Sequence, residues 1–488
     1  MAAVLGAGPV ADAFIVAFRL PNHFRAIFGE GAFNAAFIPT YGRLRTVAGD
    51  AAAKLFADRI LALMIAVQLA LLGFALFWMP VLVGLLAPGL PPATFELAVA
   101  LTRITFPYLL LITLVTLVSA VLNAHDRFWA AAAAPVLLNL SMIAALTVAV
   151  LFPSAGHAAA WGVAVAGTLE LLLVWLNAGR AGIAPRPAVP RLGGGVGAFF
   201  RLLGPAVLGS AGVQLAMFAD TIIASTLPTG ALSALYYAER LYQLPLGVVG
   251  IAAGTVLLPE MTRRIAGGDT AGAHAAQNRA IGLTLALSAP CAVAFLLVPD
   301  LILSVLFQRG AFDAAAAARS GAVLAAYAVG LPAAVILRSV TGSFYARQDT
   351  STPLWASMTG YGVNIVLKIV LIGSFGVVGL ALATSAGVWT NVLILWLLAL
   401  RRGFTAPSRP FWLALAAVAI GCAFLGLIAG FGRAPLEAAL RPHAGNLTDL
   451  GTLAILAASG VAAYGITLLV LLRAFRVSFG RKRSPSRP

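Results

Sequence analysis

Long apolar runs separated by short polar stretches set the pattern of this chain. An α-helix needs about 20 consecutive, mostly apolar residues to cross the roughly 30 Å of bilayer hydrocarbon. Segments of that kind run at roughly 10–38, 58–87, 98–123, 130–152, 158–178, 200–227, 232–260, 279–299, 316–345, 353–374, 377–400, 410–431 and 449–472. The pattern predicts an all-α, polytopic membrane bundle of thirteen spans. The first segment departs from it. Residues 12–39, DAFIVAFRLPNHFRAIFGEGAFNAAFIP, carry Asp12, Arg19, Arg25 and Glu30 inside an apolar rod. At 100° per residue, Asp12, Arg19, His23, Glu30 and Asn34 fall within about 60° of one another, one polar stripe on a helix. Arg25 lies off the stripe, and a kink at the Leu20–Pro21 step leaves it free to face the same side. A charge at mid-bilayer costs at least about 2.5 kcal/mol on insertion scales, so the stripe is expected to point into a polar cavity.

Composition strengthens the membrane reading. The chain has 488 residues, of which 61% are apolar and 10% charged. Its mean hydropathy is +0.98, and no water-soluble fold of this length buries that much apolar surface. The formal net charge of +16 invites a nucleic-acid partner until its distribution is examined. The loops at 42–59, 124–129, 179–201, 261–279, 346–352 and 401–409, with the tail from 473, hold 22 of the 32 Lys and Arg residues. The opposite loops hold three, Arg309, Arg433 and Arg441, and seven lie inside or at the ends of spans. That asymmetry puts the basic loops and the C-terminus in the cytoplasm and removes the argument for nucleic acid. Thirteen spans then place residue 1 on the far side, although MAAVLGAGP has no basic n-region to carry it there. An upstream helix ending at MAAVL would resolve this, giving fourteen spans in the intact protein.

Self-comparison suggests a repeat. Pro107 followed by Asn123-Ala124-His125-Asp126 is echoed by Pro332 followed by Tyr345-Ala346-Arg347-Gln348-Asp349, and Trp175 by Trp396. Phe18-Arg19-Leu20-Pro21 with Pro39 is echoed by the stretch from Arg240 to Pro245 with Pro259. The offsets stay between 220 and 225 and span six helices, an even number, so the copies run parallel. The expected organisation is an N-terminal lobe at 1–185 lacking most of its first helix, a cytoplasmic linker at 186–195, and a C-terminal lobe at 196–403. An additional helix pair at 404–472 and a basic tail at 473–488 follow.

The intramembrane charges are the candidate chemistry. Glu239 and Arg240 stand at the position in the second lobe that matches the stripe of the first. Adjacent helical residues point about 100° apart, so Arg240 is expected to face the cavity and Glu239 a neighbouring helix. Arg19, Arg25 and Arg240 would form a cationic chamber for a diphosphate or similar anionic headgroup, because guanidinium forks bind phosphate oxygens and stay charged. Asp12, Glu30 and Glu239 would supply cavity charge or gating. The competing reading makes Arg19 a partner of Asp12, seven residues away on one face, and Arg240 the partner of a carboxylate on another helix. Arg103, near a span start, reads as an interfacial residue whose head reaches water. Asp220 and Lys368 are lone charges of opposite sign, either an ion pair or a site where an ammonium replaces a bound cation. Asn364 lies four residues before Lys368 on one helical face, and Thr384 is in the next span. Cys291 and Cys422 show no pair or cluster spacing, the five histidines are isolated, and no G-x-x-x-x-G-K-[ST] loop occurs. No metal, cofactor or enzymatic centre is expected.

The stretches GAGPVADAFIVAFRLPNHFRAIFGEGAFNAAFIP, ITFPYLLLITLVTLVSAVLNAHDRF, SALYYAERLYQLPLGVVGIAAGTVLLP and FYARQDTSTP resemble the MurJ (MviN) family of lipid II flippases. That family lies within the multidrug/oligosaccharidyl-lipid/polysaccharide exporter superfamily, and the resemblance covers essentially the whole chain. It implies fourteen helices in two lobes with an extra C-terminal pair forming a groove for the lipid tail. The implied substrate is the undecaprenyl-diphosphate-linked disaccharide-pentapeptide, carried across the bacterial inner membrane from the cytoplasmic to the periplasmic leaflet for peptidoglycan synthesis. Membrane lipids and cell-wall synthesis proteins are the other partners it suggests. Asp12 and Arg25 match essential charged positions of the family, Glu30 belongs to the same motif, and Arg240 and Glu239 match its cation and the acid before it. Two departures stand out. The family's first helix carries further arginines that this chain begins after. Some members hold sodium near the positions of Asp220, Asn364 and Thr384, where Lys368 here would oppose a cation. The alternatives are an exporter of another polyprenyl-linked glycan or of drugs, a membrane-embedded diphosphate enzyme, and a non-transporting scaffold for wall assembly. An arginine-rich chamber disfavours cationic drugs, and scattered carboxylates disfavour an enzyme.

Overall fold

The computed structural model describes residues 1–25, 32–189, 193, 195–444 and 447–476, and among them every regular element is a helix. In chain order these are α1 (Ala2–Leu5), α2 (Pro9–Arg25), α3 (Ala32–Phe77), α4 (Met79–Leu86), α5 (Pro92–Thr105), α6 (Pro107–Asn123), α7 (Trp129–Thr147) and α8 (Ala155–Arg180). They continue as α9 (Val196–Ser225), α10 (Ala231–Ala266), α11 (Thr270–Leu297), α12 (Pro299–Phe307), α13 (Ala314–Tyr345), α14 (Ser351–Arg401), α15 (Arg409–Ala444) and α16 (Thr448–Ala474). Proline opens α4, α5, α6 and α12 within the first two positions, where its missing N–H costs no helical bond. Ser154, Asp269 and Asp313 cap α8, α11 and α13 by accepting an amide hydrogen from the first turn.

Nine of the helices are long and apolar enough to cross a membrane, counted over the described residues. Two of them are too long for one crossing. A straight helix of the length of α14 would reach about 76 Å, more than twice the hydrocarbon thickness. It bends instead at Gly376, whose φ of 52° and ψ of −132° are non-helical, and its halves lie side by side. A Cβ built on Gly360 would sit 2.7 Å from the Gly387 carbonyl oxygen, and one on Gly387 2.7 Å from that of Gly360. Only glycine allows two helices to approach this closely. The other is α3, broken at Gly49 (φ 85°), with Phe37 of one arm stacked on Phe56 of the other at 5.3 Å. The stretch 42–59, expected as a loop, is therefore helical on both sides of one residue. Its alanine, leucine, arginine and lysine residues favour continuing the helix beyond the bilayer.

Two compact units emerge, Met1–Ser233 with Gly310–Phe312, and Ala234–Arg309 with the chain from Asp313 on. Inside the first, Phe33, Phe37, Tyr41, Phe56 and Phe199 form a buried aromatic core, and the Thr105 hydroxyl of α5 donates to Ala17 O of α2 at 2.8 Å. Inside the second, the Tyr464 hydroxyl of α16 donates to Ala286 O of α11 at 2.6 Å, and the Tyr464 ring fills the space left by Gly421 of α15.

The repeat is written in the turns. After α6 and α13 the chain enters the left-handed region at Asp126 (φ 58°) and Gln348 (φ 62°), 222 positions apart. The closing bonds match, Arg127 N to Leu122 O and Asp349 N to Phe344 O, both 3.0 Å. This pairing moves the alignment of the two turns by one residue, since Asp126 answers to Gln348 and not to Asp349. After α8 and α14 the equivalent residues are Gly182 (φ 70°) and Gly403 (φ 66°), 221 apart. A third pair joins Arg45 to Asp50 and Arg264 to Asp269, each at 2.8 Å, around Gly49 (φ 85°) and Gly268 (φ 76°).

Candidate functional site

Asp12 sits in the first turn of α2 with 3% of its surface exposed. Its Oδ2 accepts the Gly230 amide at 2.6 Å, and its Oδ1 accepts the Ser233 amide at 2.9 Å and the Ser233 hydroxyl. Those amides open α10. Its leading residue is a glycine with no side chain to cap it, so a carboxylate from α2 does so across space. Charge-assisted bonds and the positive end of the helix dipole both favour the anion there. Asp12, expected on a cavity wall, is thus a buried inter-helix cap.

Arg19 lies two turns further along α2 and is half-buried. Its Nη1 donates to the Thr221 hydroxyl of α9 at 2.8 Å, and that hydroxyl donates in turn to Met217 O at 3.2 Å. Asp12 and Arg19 share one helix face but reach different helices. Arg25 closes α2, and its side chain, like that of His23, lies outside the described ones; Glu30 falls outside the described residues altogether.

In the second unit Arg240 is exposed. Its guanidinium lies 4.8 Å from the centre of the Tyr236 ring, a cation–π contact one turn back along α10. Its Nη1 also donates to Gln243 Oε1 at 3.3 Å, and Gln243 Nε2 donates to Glu239 Oε1 at 2.9 Å. Glu239 and Arg240 were expected to face apart. Gln243, three residues from one and four from the other, bridges them into one polar group.

Asp220 is half-buried on α9 in the first unit, whereas Asn364, Lys368 and Thr384 all belong to α14 in the second. Lys368 is fully buried, and Asn364, one turn earlier on the same face, is 5% exposed. Asn364 packs against Gly387, where an added Cβ would meet its own at 2.8 Å. The Thr384 hydroxyl donates to Leu380 O at 3.0 Å. Arg103 is exposed at the end of α5, in keeping with an interfacial side chain.

Sequence reasoning missed Thr221, Gln243 and Glu170. Thr221 carried no signal, being one hydroxyl in an apolar helix. Gln243 could have been found from its i+4 and i+3 spacing to Glu239 and Arg240. Glu170 is a lone acid in the run AGTLELLLVW, the same kind of anomaly that singled out Asp12.

A protein-family model described as lipid II flippase MurJ matches residues 1–439. A protein of Rhizobium meliloti (strain 1021) described as a probable lipid II flippase MurJ is 39% identical over 432 residues, covering 87% of this chain and 81% of its own. A solved structure titled lipid II flippase MurJ, inward closed conformation, superposes with a TM-score of 0.81 at 22% identity, over 96% of this chain and 94% of its own. An inward-facing multidrug resistance MATE family transporter of the MOP superfamily superposes with a TM-score of 0.70 at 14% identity, over 82% of this chain and 92% of its own. At those identities the two structures speak for the fold.

Proposed function

From the premise that the chain belongs to the MurJ family of lipid II flippases, we propose that it carries lipid II across the bacterial inner membrane. The headgroup passes from the cytoplasmic to the periplasmic leaflet while the prenyl chain stays in lipid, and no covalent bond of the substrate changes. One observation supports the site. Arg19 and Arg240 stand 221 positions apart, at equivalent places of the two repeats, Arg19 bonded to the Thr221 hydroxyl and Arg240 over the Tyr236 ring. Guanidinium forks bind diphosphate oxygens bidentately and stay charged at any relevant pH.

Transport by alternating access follows from the two-repeat plan. The anionic headgroup moves outward with the help of an inside-negative potential, about 2.3 kcal/mol per charge per 100 mV. The basic loops and the C-terminus face the cytoplasm by the charge count. Arg240→Glu, and separately Arg25→Glu, should abolish growth of a strain depleted of its own flippase while the protein is still made at normal level. Full growth of either strain would remove the diphosphate-binding role.

A further inference from the structure

Arg338 is a cation inside the α13 span that the pair Arg19 and Arg240 leaves unexplained. It is exposed, and among the described residues its guanidinium makes no hydrogen bond, ion pair or ring contact. It stands seven residues before Tyr345, where α13 ends, about 10 Å in from the end that the charge count places in the cytoplasm. Hydrocarbon offers a guanidinium no partner, so at that depth it faces water or an anion. Its geometry also leads away from the nearer water. A helical Cα–Cβ bond leans toward the helix N-terminus, and α13 begins on the far side, so the side chain sets out deeper into the span.

The face around Arg338 is polar and open. Arg338, Thr341 and Tyr345 fall within about 60° of one another on the helix, and neither the Thr341 nor the Tyr345 hydroxyl is bonded to another described group. A Cβ built on Gly342, between them, would meet nothing within 4 Å. One turn earlier α13 is closed by α10. Tyr242 and Leu246 pack on Leu331 and Val335, and the Tyr242 and Tyr327 rings stack at 5.3 Å. Because these contacts advance together along both chains, α10 and α13 run in the same direction. Arg240 comes two residues before its helix's contact and Arg338 eleven after, so thirteen residues of rise, about 20 Å, separate the two cations along the axis. The fold itself does not require a cation here. At the offset of 222 that pairs the turns at Asp126 and Gln348, Arg338 answers to Thr116 of α6, which is 8% exposed and donates its hydroxyl to Ile112 O at 2.9 Å.

We propose that Arg338 is a second anion-binding station of the C-terminal lobe, on the cytoplasmic side of Arg240, which takes the diphosphate of a polyprenyl-linked headgroup as it leaves the inner leaflet. The identity of that lipid rests on the flippase reading. A planar fork whose five N–H donors are engaged by no described group suits diphosphate oxygens. The Tyr345 and Thr341 hydroxyls line the way in from the cytoplasmic end and add donors of their own. A headgroup held at Arg338 has about 20 Å still to travel to reach the level of Arg240, two-thirds of the hydrocarbon thickness, so the two arginines serve successive positions of one path.

The test titrates the purified full-length protein with undecaprenyl diphosphate, with lipid II and with phosphatidylglycerol, and counts bound lipid by native mass spectrometry. Arg338→Gln should weaken undecaprenyl diphosphate binding about tenfold. Arg338→Lys, which keeps the charge, should stay within about threefold of wild type. Both variants should unfold at the wild-type temperature, because the guanidinium bonds no described protein group. Undiminished diphosphate binding in Arg338→Gln overturns the proposal. So does an equal loss in Arg338→Lys, and so does an equal loss of phosphatidylglycerol, which would mark a general phospholipid contact. Lipid II separates this outcome from the flippase reading. Binding of undecaprenyl diphosphate through Arg338 without binding of lipid II keeps the station and removes that reading, whereas lipid II binding indifferent to Arg338 does the reverse. A second measurement places the residue. Arg338→Cys, in a protein whose Cys291 and Cys422 are replaced by serine, should react with a water-soluble thiol reagent in open membrane fragments; an unreactive thiol would put this face in lipid and overturn the proposal.

Discussion

Helices α2 and α10 meet near their starts and hold their arginines in different surroundings. Counted at an offset of 221, Asp12 answers to Ser233 and Arg19 to Arg240, and the first of these equivalent pairs is bonded directly, carboxylate to hydroxyl and amide. Each helix carries its arginine two turns after that contact. Yet Arg19 is half-buried against Thr221, whereas Arg240 is exposed over Tyr236 and tied to Gln243. Neighbours that differ around a shared cation indicate that the position of the charge, more than any one packing arrangement, is common to the two repeats.

The contact at the start of the two helices should show the largest asymmetry. Asp12→Ala removes three hydrogen-bond acceptances and leaves the Gly230 and Ser233 amides buried without a partner, at a cost of about 3 kcal/mol. Ser233→Ala removes one bond and leaves both amides satisfied, at about 1 kcal/mol. Thermal unfolding of the purified proteins in one detergent should rank wild type, Ser233→Ala and Asp12→Ala in falling order. Equal losses would mean that the cap is not where the stability of this contact resides.

The two arginines provide the next test, on binding. Arg19→Gln and Arg240→Gln should each weaken the affinity for lipid II by about 1.5–3 kcal/mol, ten- to a hundredfold, since each removes a charged donor. Their supports should matter less and separately. Thr221→Val should act through Arg19, and Gln243→Leu through Arg240 and the Glu239 carboxylate it bridges to it, each at about 1 kcal/mol. Native mass spectrometry with the purified lipid can rank all four. If Thr221→Val matches Arg19→Gln in stability and neither alters binding, Arg19 is a structural tie and not a substrate ligand.

How much of this was legible beforehand follows the physics of each feature. Apolar length and the distribution of Lys and Arg are strong one-dimensional signals, so the membrane bundle and its two-fold repetition could be read from residues alone. The polar stripe was legible as a set of anomalies but not as a set of contacts. Asp12 bonds to residues 218 and 221 positions away, and no periodicity reports a partner at that distance. Arg19 and Thr221 fail for the same reason. The turn motif was legible and passed over, since RTVAGD at 45–50 and RIAGGD at 264–269 place arginine, glycine and aspartate in the same register. Gly376 lay inside an apolar run with nothing around it to mark a bend, and only the pairing of Gly360 with Gly387 reveals the hairpin.

That repeated turn yields the smallest predicted effect. Around Gly268 the pair is part of a network, because Arg264 donates both to Asp269 at 2.8 Å and to Glu260 at 3.0 Å, and Arg279 reaches Glu260 at 3.3 Å. Around Gly49 the Arg45–Asp50 pair is more open, with side chains 39% and 78% exposed. The Gly272 amide, and after it the Arg264 guanidinium, hold the Asp269 carboxyl below the usual carboxylate range. A lowered folded pKa contributes stability that is present above the unfolded value and lost as pH falls through the folded one. The α10–α11 turn should therefore stay ordered from neutral pH down to about pH 4 and loosen only below it. A spin label at Gly267→Cys, in a protein whose Cys291 and Cys422 are replaced by serine, would report this as a rise in mobility confined to the acid end. The same label at Ala48→Cys should be more mobile throughout, because an exposed ion pair contributes at most about 1 kcal/mol. Loosening of the α10–α11 turn already near pH 6 would show that the carboxylates of this network do not hold it, and that helix packing beneath the turn does.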